Sequence, residues 1–533
     1  MFNKLLFYNL TQFFKINRTL STRQLLVLSK RKYSEVLILG LETSCDDTGC
    51  AIVNNKGELL AESLHSQNLM HLRNGGIIPD IARDLHSMFV EPVVTETLRN
   101  AKVSMDSIVA LAVTVKPGLP LSLVVGMKYA KYLARKYNKP IIPIHHMEAH
   151  ALAVRMQHNI TFPYLTLLIS GGHCLLAVVQ DVTHFKLLGE SIDMGPGEMF
   201  DKVARRMKLR NIPEYSKMCG GQAVEIAASK ATNPQIFKLP LPLSDYKDCN
   251  FSFNGLKTSV LLNLHRKESE HNITADKLIP EVNDLCAAML MATSRHLVHR
   301  TQRAMEFCHQ NNLIPDNNKQ LVVSGGVACN NYIFNTLTLL CDEFNYNIYR
   351  PSPKLCTDNG VMIAWNGLEK WRKSLDIVSD LNTIDIEGTS QLGESLISRV
   401  AEARIPVKLM KIKIRCCGGS QINFVDILRI LAKQITPKTL TGNVPEPPSQ
   451  ETEDNAESSY FFKYSPESQP QTVPQPGLSP LSQPTPAPLK PGPSSLSQLG
   501  ALNSSQAVFS TSQQHTRPHT KPFTSNQPGR LMK

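Results

Sequence analysis

The sequence has 533 residues, of which 42% are hydrophobic, so it is long enough for several domains with a large buried core. Its 57 basic and 45 acidic side chains give a formal net charge of +12, which suggests an acidic partner. No uncharged apolar run reaches the ~18 residues that a membrane span needs, so we expect no transmembrane helix and no membrane partner. Twelve cysteines without a CxxC spacing argue against a disulfide framework and a zinc ribbon, and favour a reducing compartment.

Residues 1–34 form a basic leader segment. The segment has seven Lys and Arg side chains and no acidic one, mixed with Leu, Phe, Ser and Thr. This composition is typical of a mitochondrial presequence, and we predict a location in the mitochondrial matrix. A frayed basic terminus or an RNA-binding arm is the alternative. Without these seven charges the chain has 50 basic and 45 acidic residues, a net charge of +5, so its charge alone is weak evidence for RNA binding.

Residues 35–410 alternate between strand-like and helix-like segments, which predicts an α/β fold. Two lobes are indicated, at 35–155 and 156–410. Several predicted strands end in a glycine-containing loop before a helix, the position at which α/β folds bind ligands. The predicted strands are 36–41, 108–115, 140–144, 165–169 and 320–324, and the clearest predicted helices are 122–136 and 283–307.

Three polar turns follow in the first half. The run 42–50, ETSCDDTGC, places hydroxyl and carboxylate side chains in a tight turn before a second strand. Such a turn could wrap a phosphate or hold a metal through water, or it could be an ordinary turn with Asx hydrogen bonds. The loops 75–86 and 116–120 are either further ligand turns or plain connections to helices.

His146 and His150 are candidate metal ligands. They follow a predicted strand and are four residues apart, so on a helix both imidazoles share one face. A third ligand must come from elsewhere in the chain. Met147 follows His146, so the glutamate of the HExxH metallopeptidase motif is missing.

The second half contains two strands that end in Ser-Gly-Gly, at 168–172 and 323–326. Missing side chains let a ligand approach the backbone, and a pair of such loops in matching contexts is stronger evidence than one. Asp358 begins a later helix, where its carboxylate could bind an ion or serve as a helix N-cap.

The motifs together resemble the TsaD family of tRNA N6-adenosine threonylcarbamoyltransferases, and most closely its mitochondrial branch. The resemblance covers about residues 36–410 and implies the fold of the actin-like ATPase superfamily, with two ribonuclease-H-like lobes around a cleft. It rests on the ordered motifs ETSCDDT, GGIIPDIARDLH, HHMEAH, LISGGHC, GEMFDKVAR, FSFNGLKT, VVSGGVACN and CTDNGVMIA.

This resemblance implies the site residues. The divalent metal ligands would be His146, His150 and Asp358, with iron, zinc and magnesium not distinguished. The remaining family positions would contact the nucleotide-bearing substrate; they correspond to Leu168, Ile169, Ser170, Gly171, Gly172, Asp201, Gly221 and Asn330. No residue is implied as a covalent nucleophile, and Cys45 or Cys174 in that role is a minor alternative.

The resemblance also implies the reaction and the partners. A threonylcarbamoyl group would pass from threonylcarbamoyl-AMP to N6 of the adenosine 3′ of the anticodon, in tRNAs that read codons beginning with A. The enzyme would act as a homodimer. Two other functions stay open: an ATPase or kinase of the same superfamily, and a metallopeptidase, an older interpretation of this family.

The chain departs from the family pattern in several places. Met194 follows Asp193 where many members have a second aspartate, Asn254 replaces a serine, and 218–222 replaces Tyr-Pro-Gly-Gly-Pro, which bears on the register at Gly221. After about residue 410 no counterpart is expected. The tail 411–533 is rich in Pro, Ser and Gln, with 17 of the 34 prolines from Pro437 onward, and we predict that it is largely disordered.

Overall fold

The computed structural model describes residues 36–408, which contain eleven strands and twelve α-helices. The strands form two separate sheets, one of five strands and one of six. Both sheets are covered by helices, which confirms the predicted two-lobed α/β fold. The predicted presequence, 1–34, and the predicted tail, 411–533, both lie outside the described residues. Among the described residues, no helix combines the length and apolar character that a membrane crossing requires.

The first sheet has the strand order β3-β2-β1-β4-β5. Its first three strands are antiparallel neighbours, and β4 and β5 run parallel to β1. Every residue of β1 is buried, which fits a central strand covered on both faces. The bounds are β1 Leu37–Glu42, β2 Asp47–Asn54, β3 Leu59–Ser66, β4 Ile108–Lys116 and β5 Ile141–His145.

Four helices belong to this half of the chain. Two of them begin with a proline at the first helical position, where the missing N–H costs no hydrogen bond. They end in a left-handed residue, Lys102 or Asn138, which stops the helical hydrogen bonding. The helices are α1 Asn68–Arg73, α2 Pro79–Ala101, α3 Pro120–Tyr137 and α4 His146–Leu152.

The second sheet has the strand order β10-β9-β6-β7-β8-β11. Strands β6, β7 and β8 form an antiparallel meander, while β9 runs parallel to β6. The two Ser-Gly-Gly loops therefore follow neighbouring parallel strands and leave the sheet at the same edge. The bounds are β6 Tyr164–Ile169, β7 Cys174–Asp181, β8 His184–Glu190, β9 Gln320–Ser324, β10 Asn347–Tyr349 and β11 Glu394–Ser395.

The second half contributes eight helices. The longest, α8, is buried along most of its length and packs against α6, α7 and α9. The bounds are α5 Pro196–Arg206, α6 Gly220–Ser229, α7 Asn254–Glu270, α8 Val282–Gln310, α9 Asn331–Phe344, α10 Pro353–Cys356, α11 Gly360–Arg372 and α12 Ile397–Ala403.

Helix α11 returns to the first sheet, although it follows the second sheet in the chain. It packs on β1 and β2, and two glycines allow the close approach. A Cβ added at Gly40 would lie 2.2 Å from the backbone nitrogen of Ala364, and one at Gly360 would lie 2.5 Å from the backbone carbon of Cys50. The predicted boundary at residue 155 therefore divides the strands correctly between the two sheets, but it does not divide all of the helices that cover them. The return of α11 brings the segment before this helix to the end of the first sheet.

Candidate active site

Three predicted metal ligands converge where the two lobes meet. His146 and His150 lie on one face of α4, and their rings meet edge to face with centroids 4.6 Å apart. Asp358 Oδ1 lies 3.1 Å from His150 Nε2 and 3.5 Å from His146 Nε2. One ligand atom from each residue lies within 4.8 Å of the other two. The sequence pattern named all three residues, and the packing of α11 brings the third to the other two.

The donor set fits a divalent cation. Both histidines are buried and Asp358 is mostly buried, so a cation there would replace most of its water with protein ligands. Two imidazoles with one carboxylate are typical of zinc or iron sites, whereas magnesium prefers oxygen ligands. The donor atoms therefore favour a transition metal or zinc over magnesium.

Glu42 and Ser44 hold His146 in this orientation. His146 Nδ1 lies 3.3 Å from Glu42 Oε2 and 3.1 Å from Ser44 Oγ. Glu42 is itself fixed, because it accepts hydrogen bonds from the Ser44 amide at 2.5 Å and from Thr114 Oγ1 at 2.6 Å. A carboxylate that accepts from Nδ1 leaves Nε2 free to bind a metal. The sequence placed Glu42 in a polar turn, but its contact with a histidine 104 residues away could not be read from spacing.

The charges of the cluster stabilise one another. Burial lowers the pKa of His146, but the carboxylates of Asp358 and Glu42 outweigh burial and raise this pKa to about 10. Burial likewise raises the pKa of Asp358, and the two histidines overcome it and hold the pKa well below its usual range. A metal cation would take the place of the proton on His146, since a histidine ligand must be neutral.

The N-cap alternative for Asp358 does not hold. The residue that caps α11 is Asn359, whose Oδ1 accepts a hydrogen bond from the Met362 amide at 2.8 Å. The Asp358 carboxylate points instead to the two histidines. Asn359 therefore caps the helix, and Asp358 stays available as a metal ligand.

The first Ser-Gly-Gly loop is the turn between β6 and β7. Leu168 and Ile169 are fully buried at the end of β6, so only their backbone could reach a ligand. Ser170 closes the turn through backbone and side-chain hydrogen bonds with His173. A Cβ added at Gly171 or Gly172 would meet no atom within 4 Å. These two glycines thus leave open space beside the loop.

The same loop is anchored on the first turn of α5. The Gly197 amide donates to the Ser170 carbonyl at 3.2 Å, and the Glu198 amide donates to the Gly171 carbonyl at 2.9 Å. A Cβ at Gly195 would lie only 2.2 Å from the Gly171 carbonyl oxygen. The loop and the helix that carries Asp201 are therefore positioned as one piece.

Asp201 is held by the glycine pair that begins α6. Its Oδ1 accepts a hydrogen bond from the Gly220 amide at 2.7 Å. A Cβ at Gly220 would lie 2.5 Å from that carboxylate, whereas one at Gly221 would meet only Phe200 at 3.7 Å. The close approach to Asp201 therefore requires Gly220, while the structure places no such demand on Gly221.

A cavity of about 140 Å³ lies between the two lobes beside Asp201. The first lobe contributes Asp46 and the loop around Gly76, and the second contributes Asp201, Arg205 and Gly220. Burial raises the pKa of Asp201, and the Gly220 amide only partly offsets this effect. We call this space the first cavity.

Asn330 has a structural contact that the sequence did not indicate. Its Oδ1 accepts a hydrogen bond from the Ile333 amide at 3.0 Å and so caps α9. The second Ser-Gly-Gly loop before it touches the first one, because a Cβ at Gly325 would lie 2.4 Å from the Ile169 carbonyl oxygen. Gly325 also has a φ of +98°, which favours glycine. The side-chain amide nitrogen is the group through which Asn330 could donate to a ligand.

Neither cysteine considered as a nucleophile suits that role. Burial raises the pKa of the Cys45 thiol well above its usual range, and nearby aspartates add to the shift. Burial does the same for the Cys174 thiol. A thiol that stays protonated is a poor nucleophile, so neither cysteine is suited to form a covalent intermediate. Glu148, the glutamate of the HHMEAH motif, pairs with Lys370 at 3.3 Å, so its carboxylate is not free to act as a peptidase base.

Comparison with known proteins identifies similarities over more than half of the chain. The family model for TsaD, tRNA N6-adenosine threonylcarbamoyltransferase, matches residues 58–365. The mitochondrial tRNA N6-adenosine threonylcarbamoyltransferase of Xenopus tropicalis is 47% identical over 381 residues, which are 72% of this chain and 94% of the relative. The mitochondrial protein of the same name from Homo sapiens is 46% identical over 378 residues, which are 71% of this chain and 91% of the relative.

More distant proteins are also similar. The tRNA N6-adenosine threonylcarbamoyltransferase of Anaplasma phagocytophilum is 38% identical over 343 residues, 64% of this chain and 95% of the relative. Among solved structures, HypF of T. kodakarensis aligns with a TM-score of 0.41 and 12% identity, over 65% of this chain and 49% of that one.

Proposed function

The chain belongs to the TsaD family of tRNA N6-adenosine threonylcarbamoyltransferases, and from this we propose that it forms N6-threonylcarbamoyladenosine in mitochondrial tRNA. The donor is threonylcarbamoyl-AMP, and the acceptor is the adenosine 3′ of the anticodon in tRNAs that read codons beginning with A. The observation that carries the proposal is the convergence of His146, His150 and Asp358, whose charges act on His173 at the end of the first Ser-Gly-Gly turn.

The reaction needs alignment more than it needs a covalent catalyst. The exocyclic amine attacks the carbamoyl carbon, a carbon–nitrogen bond forms, and the carbon–oxygen bond to phosphate breaks as AMP leaves. The amine loses one proton. Because the mixed anhydride is already activated, fixing the two reactants in contact and stabilising charge on the leaving group account for most of the required catalysis.

The residues divide these tasks between them. Gly171 and Gly172 leave the backbone of their loop accessible to the donor. Asp201 and Asn330 lie on the elements next to this loop, where they suit the nucleoside part of the donor. His146, His150 and Asp358 would hold one divalent cation, which supplies Lewis-acid stabilisation of the phosphate oxygens when it is bound.

The protein acts in mitochondria, as its relatives are named, and the basic segment 1–34 supports import into the matrix. We further propose a homodimer. Exposed apolar side chains lie on three successive elements of the first lobe, β3, α1 and α2, and a second copy would cover them; they are Leu64, Leu69, Met70 and Met88. Light scattering on the purified protein tests the dimer.

Nucleoside mass spectrometry tests the reaction. Purified full-length protein, given threonylcarbamoyl-AMP and a mitochondrial tRNA transcript with the acceptor adenosine, should produce threonylcarbamoyladenosine and AMP in equal amounts. A transcript with guanosine at the acceptor position is the matched control and should stay unmodified. Mitochondrial tRNA from cells without the protein should lose the modified nucleoside, and unchanged levels would contradict the proposal.

A further inference from the structure

A second cavity, of about 350 Å³, lies near the metal-ligand cluster. The two cavities share no lining residue. The second is lined by Met147, which follows the ligand His146 in the chain, and by His173 of the first Ser-Gly-Gly turn. The first is lined by Asp46, which stands two residues after the Ser44 that contacts His146. Both cavities therefore adjoin segments that carry or position the metal ligands.

Both lobes form the walls of the second cavity. The first lobe contributes Pro117 and Met147, the second contributes His173 and Glu190, and the segment 388–392 crosses between them. This segment is fixed at its start, where the Gly118 amide donates to the Gly388 carbonyl at 3.0 Å. It is fixed again past its end, where the Leu396 amide donates to the Leu187 carbonyl at 2.7 Å. The cavity is thus a built part of the interlobe cleft.

The chemistry of the walls favours a neutral ligand that donates hydrogen bonds. Pro117, Met147 and Leu392 line the cavity but are buried. Its accessible surface comes from less buried residues such as His173, Glu190 and Ser390. The lining residues include a carboxylate, Glu190, and no Lys or Arg. A phosphate or a free carboxylate would be repelled there, whereas an amine N–H would find an acceptor.

Glu190 is held in place while its carboxylate stays available. Its backbone amide donates to Asn250 Oδ1 at 3.2 Å, and its carbonyl accepts from the Phe251 amide at 2.9 Å. Among the described residues no side chain or amide donates to its carboxylate at hydrogen-bond distance. A fixed backbone with an uncommitted acceptor suits ligand recognition, because little ordering is needed when the ligand binds.

Building on the proposed function, we infer that the second cavity receives the acceptor adenine of the tRNA and that the Glu190 carboxylate accepts a hydrogen bond from its exocyclic amine. The donor then enters from the first cavity, with its phosphate at the metal ligands, and its carbamoyl carbon lies next to the amine. The volume is at the lower end of the ~300–1,000 Å³ typical of small-molecule sites, enough for one base. The threonyl end of the donor carries a carboxylate, so Glu190 disfavours it as the occupant.

Binding of two RNAs tests the hydrogen bond. The probes are anticodon stem-loops with adenosine, or with purine riboside that lacks the exocyclic amine, at the acceptor position. The wild-type protein should bind the adenosine RNA about tenfold or more tightly, as expected for a hydrogen bond to a charged group. Glu190→Ala should reduce this ratio to about one, and Glu190→Gln, which retains an acceptor oxygen, should give an intermediate value.

The matched control is Glu394→Ala, which removes an exposed glutamate from β11 in the same sheet and should keep the wild-type ratio. A wild-type ratio in Glu190→Ala would overturn the inference. A second outcome would also overturn it. If Glu190→Ala keeps the wild-type ratio of the two RNA affinities but binds a non-hydrolysable donor analogue more weakly, the cavity holds the threonyl end of the donor.

A second variant fills the cavity without touching the core. Thr389 is an exposed lining residue, so Thr389→Trp should block tRNA modification while the affinity for the donor analogue and the melting temperature stay at wild-type values. Full tRNA modification by this variant would contradict the assignment. If the wild-type protein modifies no tRNA, the proposed function itself fails. If the wild-type protein modifies tRNA but Glu190→Ala keeps the wild-type ratio of RNA affinities, only the assignment of the second cavity fails.

Discussion

Asp358 Oδ1 lies 3.1 Å from His150 Nε2, although 208 residues separate the two in the chain. The contact exists because α11 returns to the first sheet and carries the segment before it to the end of α4. The metal-ligand cluster is therefore also a contact between distant parts of the chain, and changes in packing far from the ligands can alter it.

Removal of the carboxylate should abolish metal binding and activity together. We expect Asp358→Ala to lower metal affinity by more than about 100-fold, since loss of a partner outside the ligand sphere already costs ~10–100-fold. Metal analysis of the purified protein and a tRNA modification assay measure the two effects. Asp385→Ala, which removes an exposed aspartate, is the control and should retain both metal and activity. Retention of metal by Asp358→Ala would contradict the ligand assignment.

The neutral replacement Glu42→Gln should weaken metal binding without removing a ligand. Glu42 accepts from His146 Nδ1, and its loss leaves the ring less basic and less well oriented, so we expect a decrease in metal affinity of about 10–100-fold. Competition with a chelator of known affinity measures the change. Glu62→Gln, on the exposed side of β3, should behave as the wild type. Equal affinities for Glu42→Gln and the wild type would exclude the orienting role.

A methyl group at Gly360 should separate α11 from the first sheet. The added Cβ would lie 2.5 Å from the Cys50 backbone carbon, a contact that only backbone movement can relieve. We expect Gly360→Ala to destabilise the fold by about 1–3 kcal/mol and to reduce metal affinity, because Asp358 moves with the helix.

Gly255 provides the matched comparison. It lies in α7, and an added Cβ would meet no atom within 4 Å. Gly255→Ala should leave metal binding unchanged and stabilise the protein by up to about 1 kcal/mol through the lower entropy of the unfolded chain. Denaturant unfolding of both variants measures the difference, and equal effects of the two substitutions would refute the close-packing argument.

Buried His296 should make stability depend on pH. Burial, with the nearby charges of Arg300 and His299, lowers its pKa to about 3. Its Nε2 accepts a hydrogen bond from the Ser252 amide at 3.1 Å. In the unfolded chain the pKa is ~6.5, so below that pH the unfolded state binds a proton that the folded state does not. The contribution to stability is therefore constant above pH ~6.5 and decreases as the pH falls from there towards 3.

The variant His296→Gln removes this proton-binding difference. Between pH 7.5 and 5.5 the wild type should lose about 1.4 kcal/mol more unfolding free energy than the variant. Urea unfolding at both pH values gives this difference, and His184→Gln, an exposed histidine, should leave it at the wild-type value. A variant with the same pH dependence as the wild type would show that His296 is not the responsible group.

The sequence by itself determined the elements and most of the candidate ligands. Apolar runs such as 108–115 and 320–324 predicted strands that the structure has as Ile108–Lys116 and Gln320–Ser324, because side-chain periodicity reflects local backbone geometry. The spacing of His146 and His150 predicted a shared helix face for the same reason. The ordered motifs indicated the family, which the comparisons confirm.

Only the tertiary structure decided which distant groups meet. It paired Glu42 with His146, assigned the close approach at Asp201 to Gly220 and the α11 cap to Asn359, and placed Glu190 in an interlobe cavity. The contact between Glu42 and His146 spans 104 residues and depends on how sheets and helices pack, about which local sequence preferences carry no information. The Asn359 cap is local, but the sequence had also offered Asp358 for it. Packing of α11 against glycines on the first sheet, rather than any local motif, joins the two lobes at the site.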